Sequence, residues 1–280
     1  MKMGISRAHL LRCSLVFILA LASVGCATKR STSEGVVGVD RKQTLWLSSG
    51  EVNQASEQAY VNTLRQADQQ HALNRDPTAL TRVRAIANRL IPTTAAFRSD
   101  APGWKWEVNV IQSNELNAWC MPGGKIAVYT GLLDRLKLTD DELAAVMGHE
   151  IAHALREHGR ERASQAMATG IGLAVVGAAA GASKGQMDLA GLITNLTINL
   201  PNSREFETEA DRVGVELAAR AGYDPRAALT LWDKMKSTAG GAPPQWLSTH
   251  PSNESRQRDL AEYSRRVLPL YQATLAQPRR

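Results

Sequence analysis

A chain of 280 residues with 44% hydrophobic content can bury the core of one large domain, which excludes disordered and fibrous classes. The formal charge of +6 comes from 33 Lys and Arg against 27 Asp and Glu, with no basic block interleaved with aromatics, so no nucleic-acid partner is expected. Three cysteines, Cys13, Cys26 and Cys120, make no disulfide framework.

Lys2, Arg7 and Arg12 precede an apolar run from Leu15 to Ala22, the pattern of a secretory signal peptide over residues 1–25. The run ends in Leu21-Ala22-Ser23-Val24-Gly25-Cys26, which resembles a bacterial lipobox, with Ser23 where Leu is usual. That resemblance implies a lipidated Cys26 anchoring the chain to a membrane. Ala27 in place of Asp resembles lipoproteins sent to the outer membrane, facing the periplasm. Cleavage would leave a net charge of +3 and Cys120 as the free thiol, expected to be buried packing.

Residues 26–45, rich in Ser, Thr, Gly and Val without a periodic apolar face, are expected to be a tether. A folded domain over 46–270 and a tail over 271–280 are expected to follow. Helix is predicted from Glu51 to Leu73. Asp76-Pro77 opens another helix, with Leu80, Val83, Ile86, Ala87 and Leu90 on one face up to Pro92. Trp104 to Val110 alternates like a strand, and Ala118–Met121 with Lys125–Thr130 reads as a hairpin around Pro122-Gly123-Gly124. Thr139 and Glu142 form a capping box at the start of the next helix. Residues 163–183 carry no charge, but their Gly, Ala, Ser and Thr content favours a buried or mobile hairpin returning through Leu189–Leu200 over a membrane span. A flexible loop at Ala239–Pro244 and a polar helix near Leu260–Val267 close the chain.

The predicted helix after Thr139 carries His149-Glu150-Ile151-Ala152-His153. Residues four apart on a helix differ by about 40° in direction and about 6 Å in height, so both imidazoles can share one metal. Glu150 beside them can take a proton from water, which suits attack on a peptide carbonyl. Leu143, Ala144, Val146, Met147, Ile151 and Ala154 make the helix apolar, and unpaired His and Glu on a buried helix are costly. A third protein ligand is needed. The metzincin pattern would put Gly at 156 and His at 159, where this chain has Arg156 and Gly159. His158 lies about 140° around the helix from His153 and is expected to be a capping or surface residue.

The segment from Ser203 to Asp211 offers acids four apart. One could bind metal while the other fixes the tautomer of a ligating His. By spacing, Glu207 with Asp211 and Glu205 with Glu209 are equal pairs.

His-Glu-x-x-His followed by Ser-Arg-x-x-Glu-x-x-Ala-Asp resembles the M48 family of zinc metallopeptidases. Asn117-Ala118-Trp119, Pro122-Gly123-Gly124, Thr130-Gly131-Leu132-Leu133, Gly222-Tyr223-Asp224-Pro225 and Thr249-His250-Pro251 with Arg256 extend the resemblance over residues 50–260. It implies an α+β, mostly helical, zincin-like domain with a small sheet or hairpin at the cleft. It further implies one Zn2+ per chain held by His149, His153 and Glu207, Glu150 as general base, and Asp211 orienting a ligating His. His250 and Arg256 would lie near the site, His250 aiding the oxyanion or capping the metal. The edge strand of Asn117, Ala118 and Trp119 would receive an extended protein or peptide substrate. Prenyl proteases of the family span membranes repeatedly, and no such spans occur in these residues, so CaaX processing is not carried over.

The expected function is a zinc endopeptidase of the bacterial cell envelope that hydrolyses misfolded or unassembled envelope proteins. The rival expectation is a chaperone or assembly factor of the outer-membrane machinery with a regulated or latent metal site.

Overall fold

The computed structural model describes residues 28–168, 189–237, 245–251 and 254–276. The signal peptide with Cys26, most of the Gly- and Ala-rich stretch and the Ala239–Pro244 loop lie outside them.

Strands β1 (Thr28–Lys29) and β2 (Gln43–Thr44) form an antiparallel pair at the start of the described chain. Val37 and Val39 between them, Gln43 within β2 and Leu45 after it are buried, and Val37 N–H donates to Glu216 Oε2 at 3.0 Å. The expected tether is therefore a strap folded onto the domain from residue 28 onward. Its short apolar side chains enter the core at irregular intervals, so no periodicity advertised them.

Helix α1 (Ser49–Gln69) starts at a Ser48/Glu51 capping box. It stops short of Leu73 because His71 and Asn74 adopt left-handed backbone angles that turn the chain. In α2 (Pro77–Thr93), Asp76 accepts from the N–H groups of Thr78 and Ala79. The first long strand, β3 (Glu107–Ile111), begins later than alternation suggested, because Trp104 and Trp106 stack on each other at 5.5 Å and leave the strand pattern. It runs parallel to β5 (Lys125–Tyr129), which pairs antiparallel with β4 (Ala118–Met121). The order β3-β5-β4 leaves β4 at the edge.

Helix α3 (Thr130–Leu136) leads to α4 (Asp140–Leu155), which begins at the expected Thr139/Glu142 box and is buried from Glu142 to Leu155. Glu157, with φ of 50°, reverses the chain into α5 (His158–Ala168). Helix α6 (Leu189–Thr194) continues as a wider turn over Asn195–Asn199, followed by α7 (Arg204–Arg220), α8 (Ala227–Ser237), α9 (Gln245–Thr249) and α10 (Glu254–Leu275). Helix α10 runs well beyond the expected span and into the expected tail, with Leu270 and Tyr271 packed on the core. Among the described residues no helix is long and apolar enough to cross a membrane.

The core lies between the sheet and helices α2, α4, α7, α8 and α10. At its centre α4 and α7 cross with backbone against backbone: a Cβ on Gly148 would sit 2.8 Å from Gly214 O, and one on Gly214 would sit 2.8 Å from His149 N. Alanine is the better helix former by about 0.8–1.0 kcal/mol, but overpacking here costs about 1–3 kcal/mol, so the steric term wins. Gly148→Ala and Gly214→Ala should each lower the midpoint of chemical denaturation; an unchanged or raised midpoint would contradict this close crossing.

Candidate metal centre

The crossing brings the α4 motif against the acidic start of α7. His149, Glu150, His153, Glu207, Asp211, His250 and Arg256 are all buried there. His149 Nε2 lies 3.1 Å from His153 Nε2 and 3.2 Å from His250 Nδ1. Glu207 Oε1 lies 2.9 Å from His250 Nδ1 and 3.3 Å from His153 Nε2. A tetrahedron with ligand bonds of about 2.0–2.1 Å has edges of about 3.3–3.4 Å, so this donor set fits a divalent metal. Its three imidazole nitrogens and one carboxylate oxygen are the donor types zinc prefers.

Each ligand candidate is held from behind. Asp211 Oδ1 accepts from His149 Nδ1 at 3.0 Å, and Arg256 bridges both Asp211 oxygens while its Nη1 lies 2.7 Å from Glu207 Oε2. Burial would raise the Asp211 and Glu207 carboxyls, but Arg256 facing both, with His149 on Asp211 and His250 on Glu207, holds them below the usual carboxylate range. Burial would lower His149, but its hydrogen bonds to Asp211 and Glu207 push it up to about 9. Burial drives His153 well below the ordinary imidazole range.

Between the two pairs of acids, the tertiary fold selects. Glu207 and Asp211 face the imidazoles, whereas Glu205 is exposed. Glu209 is buried, but away from the donor cluster. It receives His158 Nε2 at 2.9 Å and Arg41 Nε at 2.6 Å. Burial would raise the Glu209 carboxyl, but the His158 and Arg41 hydrogen bonds hold it at about 2.

His158 is a correction. It is 1% exposed, stacks on Phe206 and lies 2.8 Å from His153 Nδ1 through its own Nδ1. The expected surface position assumed one continuous helix, and the reversal at Glu157 breaks that assumption.

Sequence reasoning passed over Trp246. Its indole N–H donates to Glu150 Oε1 at 2.9 Å, its ring stacks on His250 at 4.7 Å, and its backbone N–H donates to Leu116 O at 3.0 Å. The four-residue spacing of Trp246 and His250 was the available signal, too common to act on alone.

The edge strand lies where expected, but it is covered. Ala118, Trp119, Cys120 and Met121 are buried, with α4 and the 195–199 turn packed on β4. Trp119 turns from the metal centre onto Tyr60, at 6.0 Å. Asn117 Oδ1 accepts from Ala118 N–H, while its buried Nδ2 has no hydrogen-bond partner. Cys120 is buried and outside the donor cluster, and its thiol is pushed well up by burial.

Two imidazoles four apart on one helix with a carboxylate between them, completed by an acid from a crossing helix, define a metallopeptidase site. The model of Peptidase family M48 matches residues 77–264, and the chain belongs to that family. Mitochondrial metalloendopeptidase OMA1 of Arabidopsis thaliana is 40% identical over 60% of this chain and 33% of its own length. Its namesake in Saccharomyces cerevisiae is 26% identical over 91% of this chain and 76% of its own. The β-barrel assembly-enhancing protease of Escherichia coli is 27% identical over 75% of this chain and 43% of its own length. The chain thus spans a third to under a half of the plant and E. coli proteins.

Arg256 is the cation on which the two buried acids depend. Arg256→Leu would strand them and should cost about 3–5 kcal/mol in chemical denaturation of the metal-free protein. Arg256→Lys should recover only part of that, because an ammonium cannot fork across Asp211. A variant with Leu as stable as the parent would refute this ion-pair assignment.

Proposed function

We propose that this chain is a zinc-dependent endopeptidase of the bacterial cell envelope, anchored through Cys26 at the outer membrane and facing the periplasm. It hydrolyses misfolded or unassembled envelope proteins. The observation that carries the catalytic part is the convergence of His149, His153 and Glu207 around one point, with Glu150 alongside. The setting is supported by the lipobox-like Cys26 region and by the name of the E. coli relative, which links that protein to β-barrel assembly.

When bound, zinc supplies a Lewis acid that polarises a carbonyl and acidifies water. His149, His153 and Glu207 hold it. Glu150 receives the water proton at its carboxylate and passes it to the leaving amine. The substrate adds as a strand beside β4 once the 195–199 turn packed on that strand gives way, and Asn117 Nδ2, buried and without a hydrogen-bond partner, is then a donor for a peptide carbonyl.

The geometry favours a latent resting state. His250 completes a four-donor set, and Trp246 occupies Glu150 Oε1. A catalytic zinc site keeps one position open, so α9 must move before water and substrate enter. This also accommodates the assembly-factor reading as a resting activity of the closed form.

Glu150→Gln should retain zinc yet lose about 10²–10⁴-fold in cleavage of an unfolded protein; undiminished turnover would sink the peptidase assignment. His250→Ala should raise basal cleavage in the same assay, whereas a fall would mean that His250 serves the reaction instead of closing the site.

A further inference from the structure

Behind His153 lies a chain of buried polar groups that ends in the N-terminal strap. His153 Nδ1 and His158 Nδ1 are 2.8 Å apart, so one of them carries the proton. His158 Nε2 faces Glu209 Oε2 at 2.9 Å. Glu209 is ionised, since Arg41 Nε and Arg156 Nε approach it at 2.6 and 3.0 Å. An ionised carboxylate only accepts, which puts a proton on His158 Nε2. In neutral His158, Nδ1 is then the acceptor, and the shared proton belongs to His153 Nδ1. That leaves His153 Nε2 unprotonated and directed at His149 Nε2 and Glu207 Oε1.

The anchor of this chain is the strap. Arg41 also forks onto Glu161 through two bonds of 2.8 Å. Gln43 Nε2 donates to Glu161 Oε2 at 2.8 Å and to Arg156 O. Arg156, fully buried, donates to Thr32 Oγ1 at 2.9 Å and to Arg41 O at 3.1 Å. These strap residues precede the family-matched range, which begins at residue 77.

We propose that His158 and Glu209 are positioning residues that fix the metal-binding tautomer of His153, and that residues 30–43 complete the metal centre by holding Glu209 through Arg41. The inference rests on the reading that His153 binds zinc. It accounts for a histidine buried off the end of the motif helix, and it gives the centre two supports: Asp211 with Arg256 behind His149, and His158 with Glu209 and Arg41 behind His153.

The test is zinc affinity of the full chain, by competition with a chromophoric chelator, alongside thermal melting of the metal-free protein. His158→Phe keeps a ring on Phe206 but removes the acceptor, and zinc should bind about 10–100-fold more weakly. His158→Asn loses the ring, but its Oδ1 stands in for Nδ1, so zinc should bind more tightly than in the Phe variant. A packing role predicts the reverse order, and Phe equal to or better than Asn overturns the proposal. Arg41→Gln should weaken zinc several-fold; parental affinity there removes the strap from the assignment.

Nitrogen-15 spectra of histidine-labelled, zinc-loaded wild type need no variant to fold. They should report a proton on His153 Nδ1 and on His158 Nε2 only; a proton on His158 Nδ1 overturns the proposal. Wild type that takes up no zinc refutes the metal reading itself, whereas tight wild-type binding with an unaffected Phe variant refutes this inference alone.

Discussion

Everything at this site follows from how closely α4 and α7 approach each other at Gly148 and Gly214. With no side chain on either residue, backbone meets backbone, and the residues flanking the crossing come within ligand distance. His149 follows Gly148 directly, and Asp211 lies one turn before Gly214. The metal donors from one helix and the acids from the other are therefore set by one helix–helix contact, made rigid by a core packed on all sides. A site built on two crossed helices holds its donors more tightly than one built on loops.

Such a centre gathers charge where charge is expensive. Glu207, Asp211 and Glu209 are buried, and each would be driven toward its neutral form if left alone. Arg256 from α10, Arg156 from the end of α4 and Arg41 from the strap keep them ionised. Arg41 and Arg256 come from opposite ends of the described chain, so the metal site also ties the strap and helix α10 to the central pair. Binding chemistry and fold stability share the same groups.

Helix α9 gathers several of these groups at once. This five-residue element carries Trp246 to Glu150 and to Leu116 O at the head of the edge strand, and His250, the residue that follows it, joins the donor cluster. Metal, base and substrate edge are thus met by one short segment. The 195–199 turn packs on β4 separately, so the edge strand is covered by a second element as well.

The sequence by itself determined the motif helix, its capping box, the hairpin and the acidic helix, because each is written in local spacing: four-residue periodicity for a shared helix face, and Thr and Glu three apart for a cap. It left Glu207 with Asp211 and Glu205 with Glu209 as equal pairs, since helical period identifies a face but not the neighbour that face meets; family resemblance chose, and the crossing at Gly214 gives the physical reason. Only the tertiary structure decided the rest. His158 turned inward because of the backbone reversal at Glu157, a feature that an extrapolated helix cannot contain. Residues 28–45 became a strap because Arg41 and Gln43 found partners more than a hundred residues away. Trp246 reached Glu150 across a similar separation. Contacts of that range depend on where whole elements pack, and no local pattern encodes them.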